Sequence, residues 1–322
     1  MPEDYIYAVT RVHIRERNLL NGADIEALSS AKSFSEALSL LGAKGWDIQL
    51  VSGGNTDALI NKEYEKIWGL IAEAAGRVEE LDIFRRTRDF HNLKAAVKLT
   101  YTGELEYNRA LYFLEYGLTP VESVIRAAEN RDFGLLPEYL AKAGKAAWDV
   151  LVNTGNGQLC EIVIDRAALE DLDRVGKASE SPLIRRFTAF FVDTANIKAA
   201  ARAHLLGRGR DFLERVISEG GLLDRKGLIG AALGDGFEIG RFLSGTPYAG
   251  AAESPGAFER WRNDEIIRMI KPQTNVYSGV EPLAAYILAR ENEITAVRLI
   301  LSSKAAGLSD TAVKERLGLT YV

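Results

Sequence analysis

Acid–base or nucleophilic chemistry in this chain would have to start from three histidines, His13, His91 and His204, from Cys160, or from a pair of carboxylates. An imidazole works as a general base when a nucleophile or an orienting carboxylate stands beside it, and a thiol becomes nucleophilic when a neighbour lowers its pKa. Here the histidines are isolated from one another and Cys160 has no histidine near it in sequence. Neither a Gly-x-Ser-x-Gly elbow nor a His-Glu-x-x-His pair occurs. The loop Asn153-Thr154-Gly155-Asn156-Gly157 has the glycines of a phosphate cradle but lacks the preceding strand, the lysine and the Gly-Lys-Ser/Thr ending. A single cysteine leaves no intrachain disulfide or CxxC metal site and fits a reducing compartment. The expectation is a non-catalytic protein with no catalytic, cofactor-binding or metal-binding set.

Other polar residues recur in a fixed register. Asp89, Asn92 and Lys94 are repeated 104 positions later as Asp193, Asn196 and Lys198, and the offset also pairs Ile60 with Ile164, Gly117-Leu118 with Gly221-Leu222, and Phe133 with Phe237. One supersecondary unit is therefore used more than once. Asp and Asn three apart share a helix face, where they serve either as fixed hydrogen-bonding groups between packed helices or as a charged binding face presented twice. Retention in both copies favours packing, with the lysines solvated. Function is then sought where the copies differ: Arg85, Arg86 and Arg88 stand opposite Ala189, Phe190 and Val192. That basic cluster is the candidate partner interface, set against a plain solvated helix face.

The elements that would carry these residues read as helices. Leu93, Ala96, Val97 and Tyr101 fall at helical spacing, and the second copy answers with Ile197, Ala200, Ala201 and Leu205. Ser33 with Glu36 and Thr119 with Glu122 have capping-box spacing, Pro120 and Pro182 suit a first helical turn, and Gly117 and Gly221 are read as helix stops. Tyr5 to Asn21 reads as a long opening helix, Lys271 to Pro282 as an ordered loop, and Asp47 to Val51 as the only tempting strand. A partial third copy is expected with Ile294 opposite Leu93 and Ile197, which sets Glu293 in the asparagine position. The expected fold is all-α, with three similar helical domains at 1–104, 105–208 and 209–322.

Composition is that of a globular protein, 47% hydrophobic and 26% charged over 322 residues. A net charge of -5 gives no global basic footprint for nucleic acid. No opening stretch is laid out like a signal peptide, and no apolar run reaches the ~18 residues of a membrane span.

The opening Tyr5-Ile-Tyr7-Ala-Val-Thr-Arg11-Val, the twin segments Asp89-x-x-Asn92-Leu-Lys94 and Asp193-x-x-Asn196-Ile-Lys198, and the ending Gly279-Val-Glu281-Pro282-Leu-x-x-Tyr286-x-x-Ala289-Arg-Glu291-x-Glu293-Ile294 resemble the C subunit of V/A-type ATPases, the counterpart of the vacuolar enzyme's d subunit. Thr295-Ala296 departs from the basic or polar pair expected there. The resemblance implies a pseudo-threefold funnel with no cofactor. It would sit on the cytoplasmic face of the proteolipid rotor ring as a peripheral part of the complex, and would accept the central shaft made by the D and F subunits. Such a part transmits torque between ATP chemistry and proton or sodium transport and catalyses neither. A helical scaffold or adaptor outside the ATPase is the alternative.

Overall fold

The computed structural model describes residues 5–105, 112–235, 238–251 and 255–322; Phe237, the offset partner of Phe133, lies outside them. Among the described residues the structure is helical, with one isolated bridge between Ser52 and Asn55 in place of any strand. Asp47 to Val51 forms a single 3-10 turn over Ile48–Leu50. The chain divides into two compact units, Met1–Val78 with Thr246–Val322, and Glu79–Gly245.

The second unit holds α5 (Ile83–Thr102), α6 (Val121–Glu129), α7 (Glu138–Thr154), α8 (Gly157–Ala178), α9 (Pro182–Leu205), α10 (Arg210–Val216), α11 (Arg225–Leu233) and α12 (Glu238–Ser244). Helix α8 packs against α5, α7 and α9 and closes a core of Phe90, Leu93, Val97, Leu140, Leu151 and Ile164. Ser181 caps α9 by accepting from Ile184 N (3.3 Å), with Pro182 at the first helical position. Thr119 does not cap α6. Pro120 occupies the cap position, and the Thr119 hydroxyl turns to Asp89 and Tyr139. Gly117 and Gly221 end no helix; both sit in the loops that precede α6 and α11, and only Gly221 has a left-handed φ, +88°.

The first unit holds α1 (Ile6–Glu16), α2 (Gly22–Ser29), α3 (Phe34–Ala43), α4 (Asp57–Ala75), α13 (Pro255–Ile270), α14 (Glu281–Ala305) and α15 (Asp310–Lys314). The opening helix stops at Glu16, short of the expected Asn21. Ser33 caps α3 by accepting from Glu36 N (3.1 Å), while the Glu36 carboxylate accepts from Lys32 N. The segment from Lys271 begins as a 3-10 turn to Asn275 before α14. Helix α14 is apolar around most of its circumference because α1, α2, α3, α4 and α13 all pack on it.

Helix α14 shares its end landmarks with α9, in a register different from the one expected for a third copy. Pro282 matches Pro182 at the start, and Gly307 matches Gly207 at the end, both glycines left-handed after their helices. Each closes the same C-terminal motif, Arg208 N donating to Ala203 O and Leu308 N to Ser303 O. This sets Glu293 opposite Asp193 and Ala296 opposite Asn196, so Glu293 replaces the aspartate and not the asparagine. Helix α15 then corresponds to α10, with buried Val313 in the place of Leu213.

Candidate functional site

The repeated aspartate and asparagine form one device on each of α5 and α9. Asp89 is fully buried on α5; its Oδ1 accepts from Thr119 N (3.1 Å) and its Oδ2 from the Tyr139 hydroxyl (2.6 Å). One turn on, Asn92 clamps the backbone of Leu114, donating from Nδ2 to the carbonyl (2.8 Å) and accepting from the N–H (2.7 Å). Helix α9 repeats the arrangement 104 residues later. Asp193 accepts from Leu222 N (2.9 Å) and Leu223 N (3.1 Å), and Asn196 makes the same two-point clamp on Ser218 (3.1 and 2.9 Å). A carboxylate and an amide thus pair backbone groups of a loop that no helix or strand ladder satisfies.

The loop glycines are explained by the same geometry. A Cβ added at Gly117 would stand 2.2 Å from Asp89 Oδ1, and one at Gly221 would stand 2.0 Å from Asp193 Oδ1. Burial pushes the Asp89 carboxyl above its ordinary value, against the pull of the Tyr139 hydroxyl and the Thr119 and Leu118 N–H groups.

On α14 the carboxylate is Glu293, whose Oε2 accepts from Leu20 N at 2.6 Å. Leu20 precedes α2 as Leu222 and Leu223 precede α11, so a loop from the first part of the chain answers a helix from the last part. Phe190 of the second copy is replaced here by Arg290. Its guanidinium pairs with both Glu293 and Glu63, all three side chains being buried, and lies 5.7 Å from the Trp46 ring centre. Burial pushes Glu293 up despite Arg290; burial also works against the charge of Arg290, yet the attraction of Glu293 holds it above its usual value. A cleft of ≈ 590 Å³ adjoins this trio, lined by Arg15, Lys44, Trp46, Lys66 and Glu73 among others.

The three arginines singled out from the sequence are engaged inside the second unit. Arg85 donates to the carbonyls of Tyr116 (3.0 Å) and Gly117 (2.6 Å), and Arg88, itself buried, donates to that of Glu115 (2.8 Å). Arg86 stacks over the Tyr139 ring (4.3 Å to its centre) and pairs with buried Asp171 (2.8 Å). Arg85 and Arg88 thus hold the loop whose other backbone groups Asp89 and Asn92 hold. Lys94 pairs with Asp165 (2.6 Å) on α8, and Lys198 is exposed.

Two of the three histidines and the cysteine are used structurally, while His13 lies 4.0 Å from Glu16 and edge-on to the Tyr277 ring. His91 and His204 donate from ring nitrogens to the carbonyls of Tyr112 and Ala232, each at 3.0 Å, and burial lowers the His91 pKa. Cys160 is buried in the α5–α8 core, where desolvation pushes its thiol up to about 11. Among the described residues no three His, Cys, Asp or Glu side chains are grouped to hold a metal ion. None of the described helices is long and apolar enough to cross a membrane.

The model of the ATP synthase (C/AC39) subunit family matches residues 8–316. The chain belongs to that family. The C subunit of the V-type ATP synthase of Thermus thermophilus is 26% identical, covering 98% of this chain and 99% of its own length. The C subunit of the V-type sodium ATPase of Enterococcus hirae is 23% identical over 95% and 96% of the two chains. The C subunit of the A-type ATP synthase of Methanocaldococcus jannaschii is 22% identical over 97% and 86%. The two clamps and the Glu293 bond therefore lie within a C/AC39 protein, a component of an ATPase complex, and the carboxylates belong to how that component is braced.

Proposed function

We propose that this C/AC39 protein is the non-catalytic socket of a rotary V/A-type ATPase, seating the D–F shaft on the proteolipid rotor ring and carrying torque between them. In this reading it is peripheral, on the cytoplasmic face of the membrane. Its three similar helical domains, each near the 104-residue period, surround a pseudo-threefold axis. The observation that carries the reading is the chain-long family match to a protein whose repeated buried residues are all spent on bracing. A torque-bearing part needs loops that do not yield, and a carboxylate or amide bonded at two points to a loop backbone resists shear better than apolar contact, because hydrogen bonds are directional and apolar burial is not.

The test is reconstitution of the ATPase with and without this protein. ATP-driven ion transport is expected to fall while ATP hydrolysis by the head persists. Normal coupled transport in its absence removes the socket reading, and leaves a scaffold outside the torque path.

A further inference from the structure

The C-terminal tips of the three long helices share a backbone motif and differ in what they display. After α5 the tip reads Tyr101-Thr102-Gly103-Glu104, and after α14 Ala305-Ala306-Gly307-Leu308. After α9 it reads Leu205-Leu206-Gly207-Arg208-Gly209-Arg210, and all six residues are exposed. Leu205 is 75% exposed and Leu206 55%. Neither is required by the motif, since the other copies close the same turn without a leucine pair at these positions.

The tip is rigid in backbone and basic in side chains. Leu206 N donates to Arg202 O (3.1 Å), Gly207 N to His204 O (2.9 Å) and Arg208 N to Ala203 O (2.9 Å). Left-handed Gly207 (φ +62°) reverses the chain, and Gly209 accepts from Phe212 N and Leu213 N to start α10. Arg202, Arg208, Arg210 and Arg215, all within ten residues of Leu205 in sequence, are exposed, against Asp211 and Glu214, in a chain whose overall charge is -5. Arg208 lies over the Phe212 ring (5.3 Å), and Arg210 reaches Glu214 only at 3.9 Å between two exposed side chains.

Two exposed leucines on a fixed turn, with four exposed arginines close by in sequence on an otherwise acidic protein, match the chemistry of an anionic lipid surface. Apolar tips enter the headgroup boundary, and guanidinium groups stay among phosphates. We propose that the α9–α10 tip inserts Leu205 and Leu206 into the headgroup layer of an anionic membrane, with Arg208 and Arg210 on lipid phosphates. The contact supplements whatever protein interfaces hold the molecule in its complex. Because it needs no other component, it stands or falls apart from the socket reading.

The experiment is flotation of the purified full chain with vesicles of phosphatidylcholine alone and of phosphatidylcholine mixed with phosphatidylglycerol. Binding is expected to the mixed vesicles, falling with salt as surface charge is screened. Replacing both arginines (Arg208→Ser, Arg210→Ser) should weaken it by about fivefold for each charge removed. The pair Leu205→Ser and Leu206→Ser should weaken it about tenfold with circular dichroism unchanged. If the serine pair disturbs folding, the arginine pair decides. No binding to either vesicle, equal binding to both, or binding that survives both double variants overturns the proposal. So does a leucine variant that floats normally but no longer joins a purified ATPase complex, since the tip is then a protein contact.

Discussion

Gly221→Ala is the most informative single substitution in the clamp. The new methyl would stand 2.0 Å from Asp193 Oδ1, so the carboxylate must move, and it is buried with two N–H donors aimed at it. Losing one such bond to a charged acceptor costs about 2 kcal/mol. Holding alanine at φ +88° adds about 1 kcal/mol. The expected total is ~3 kcal/mol, read as a lower urea midpoint at unchanged slope. Gly117→Ala separates the two contributions, because its methyl meets Asp89 at 2.2 Å but its φ is not left-handed; ~2 kcal/mol is expected. A double-mutant cycle closes the argument: with Asp193→Ala in place there is no carboxylate to strike, and Gly221→Ala should then cost only its ~1 kcal/mol of backbone strain. If Gly221→Ala costs the same in both backgrounds, or less than ~0.5 kcal/mol alone, close approach to Asp193 is not what reserves the position for glycine.

Asp89→Ala should destabilise by about 1 to 3 kcal/mol by leaving Thr119 N and the Tyr139 hydroxyl unpaired. Burial raises the folded pKa of Asp89, so its titration contributes stability that is full below the ordinary aspartate value and is lost as pH rises through the folded one. The stability gap between wild type and Asp89→Asn in urea should therefore narrow from acid towards neutral pH; a gap that widens refutes the sign. Arg86→Glu sets a carboxylate beside buried Asp171 and should cost about 3 kcal/mol, whereas loss of complex assembly with stability unchanged would make Arg86 a partner contact. Arg290→Met strands two buried carboxylates and should cost ~3–5 kcal/mol, most of it recovered when Glu63→Gln and Glu293→Gln are added; thermal melts of the series decide.

The all-α class was legible because helical periodicity and start signals such as Ser33 and Pro182 are local. The twin devices on α5 and α9 were legible as an offset, since identical packing keeps identical residues. The register of α14 was not. A slip of three residues leaves an amphipathic helix with nearly the same apolar face, so Ile294 fitted opposite Ile197 until the helix ends, Pro282 and Gly307, showed otherwise. Replacement of Asp193 by Glu293 and of Asn196 by Ala296 erased the motif that would have corrected it. The contacts of the arginines within the unit were hidden for another reason. Arg85 and Arg88 bond backbone carbonyls about thirty residues away, at Glu115, Tyr116 and Gly117, and a carbonyl carries no sequence signature; Arg86 pairs instead with Asp171, 85 positions on. Thr119 likewise has a cap's spacing, but its hydroxyl faces Asp89, a partner visible only once the loop returns to α5.

The bond from Leu20 to Glu293 spans 273 positions, and the helices α1 to α4 have most of their packing surface on α14 or on one another. A ribosome completes residues 79–245 with all of that unit's partners already made, but it releases α1–α4 long before α14 exists. The first unit must therefore wait as an open, apolar half-structure until the last helix emerges. That interval, rather than the finished protein, is where aggregation or chaperone capture would act, and slowing translation after residue 245 should lengthen it without touching any native contact.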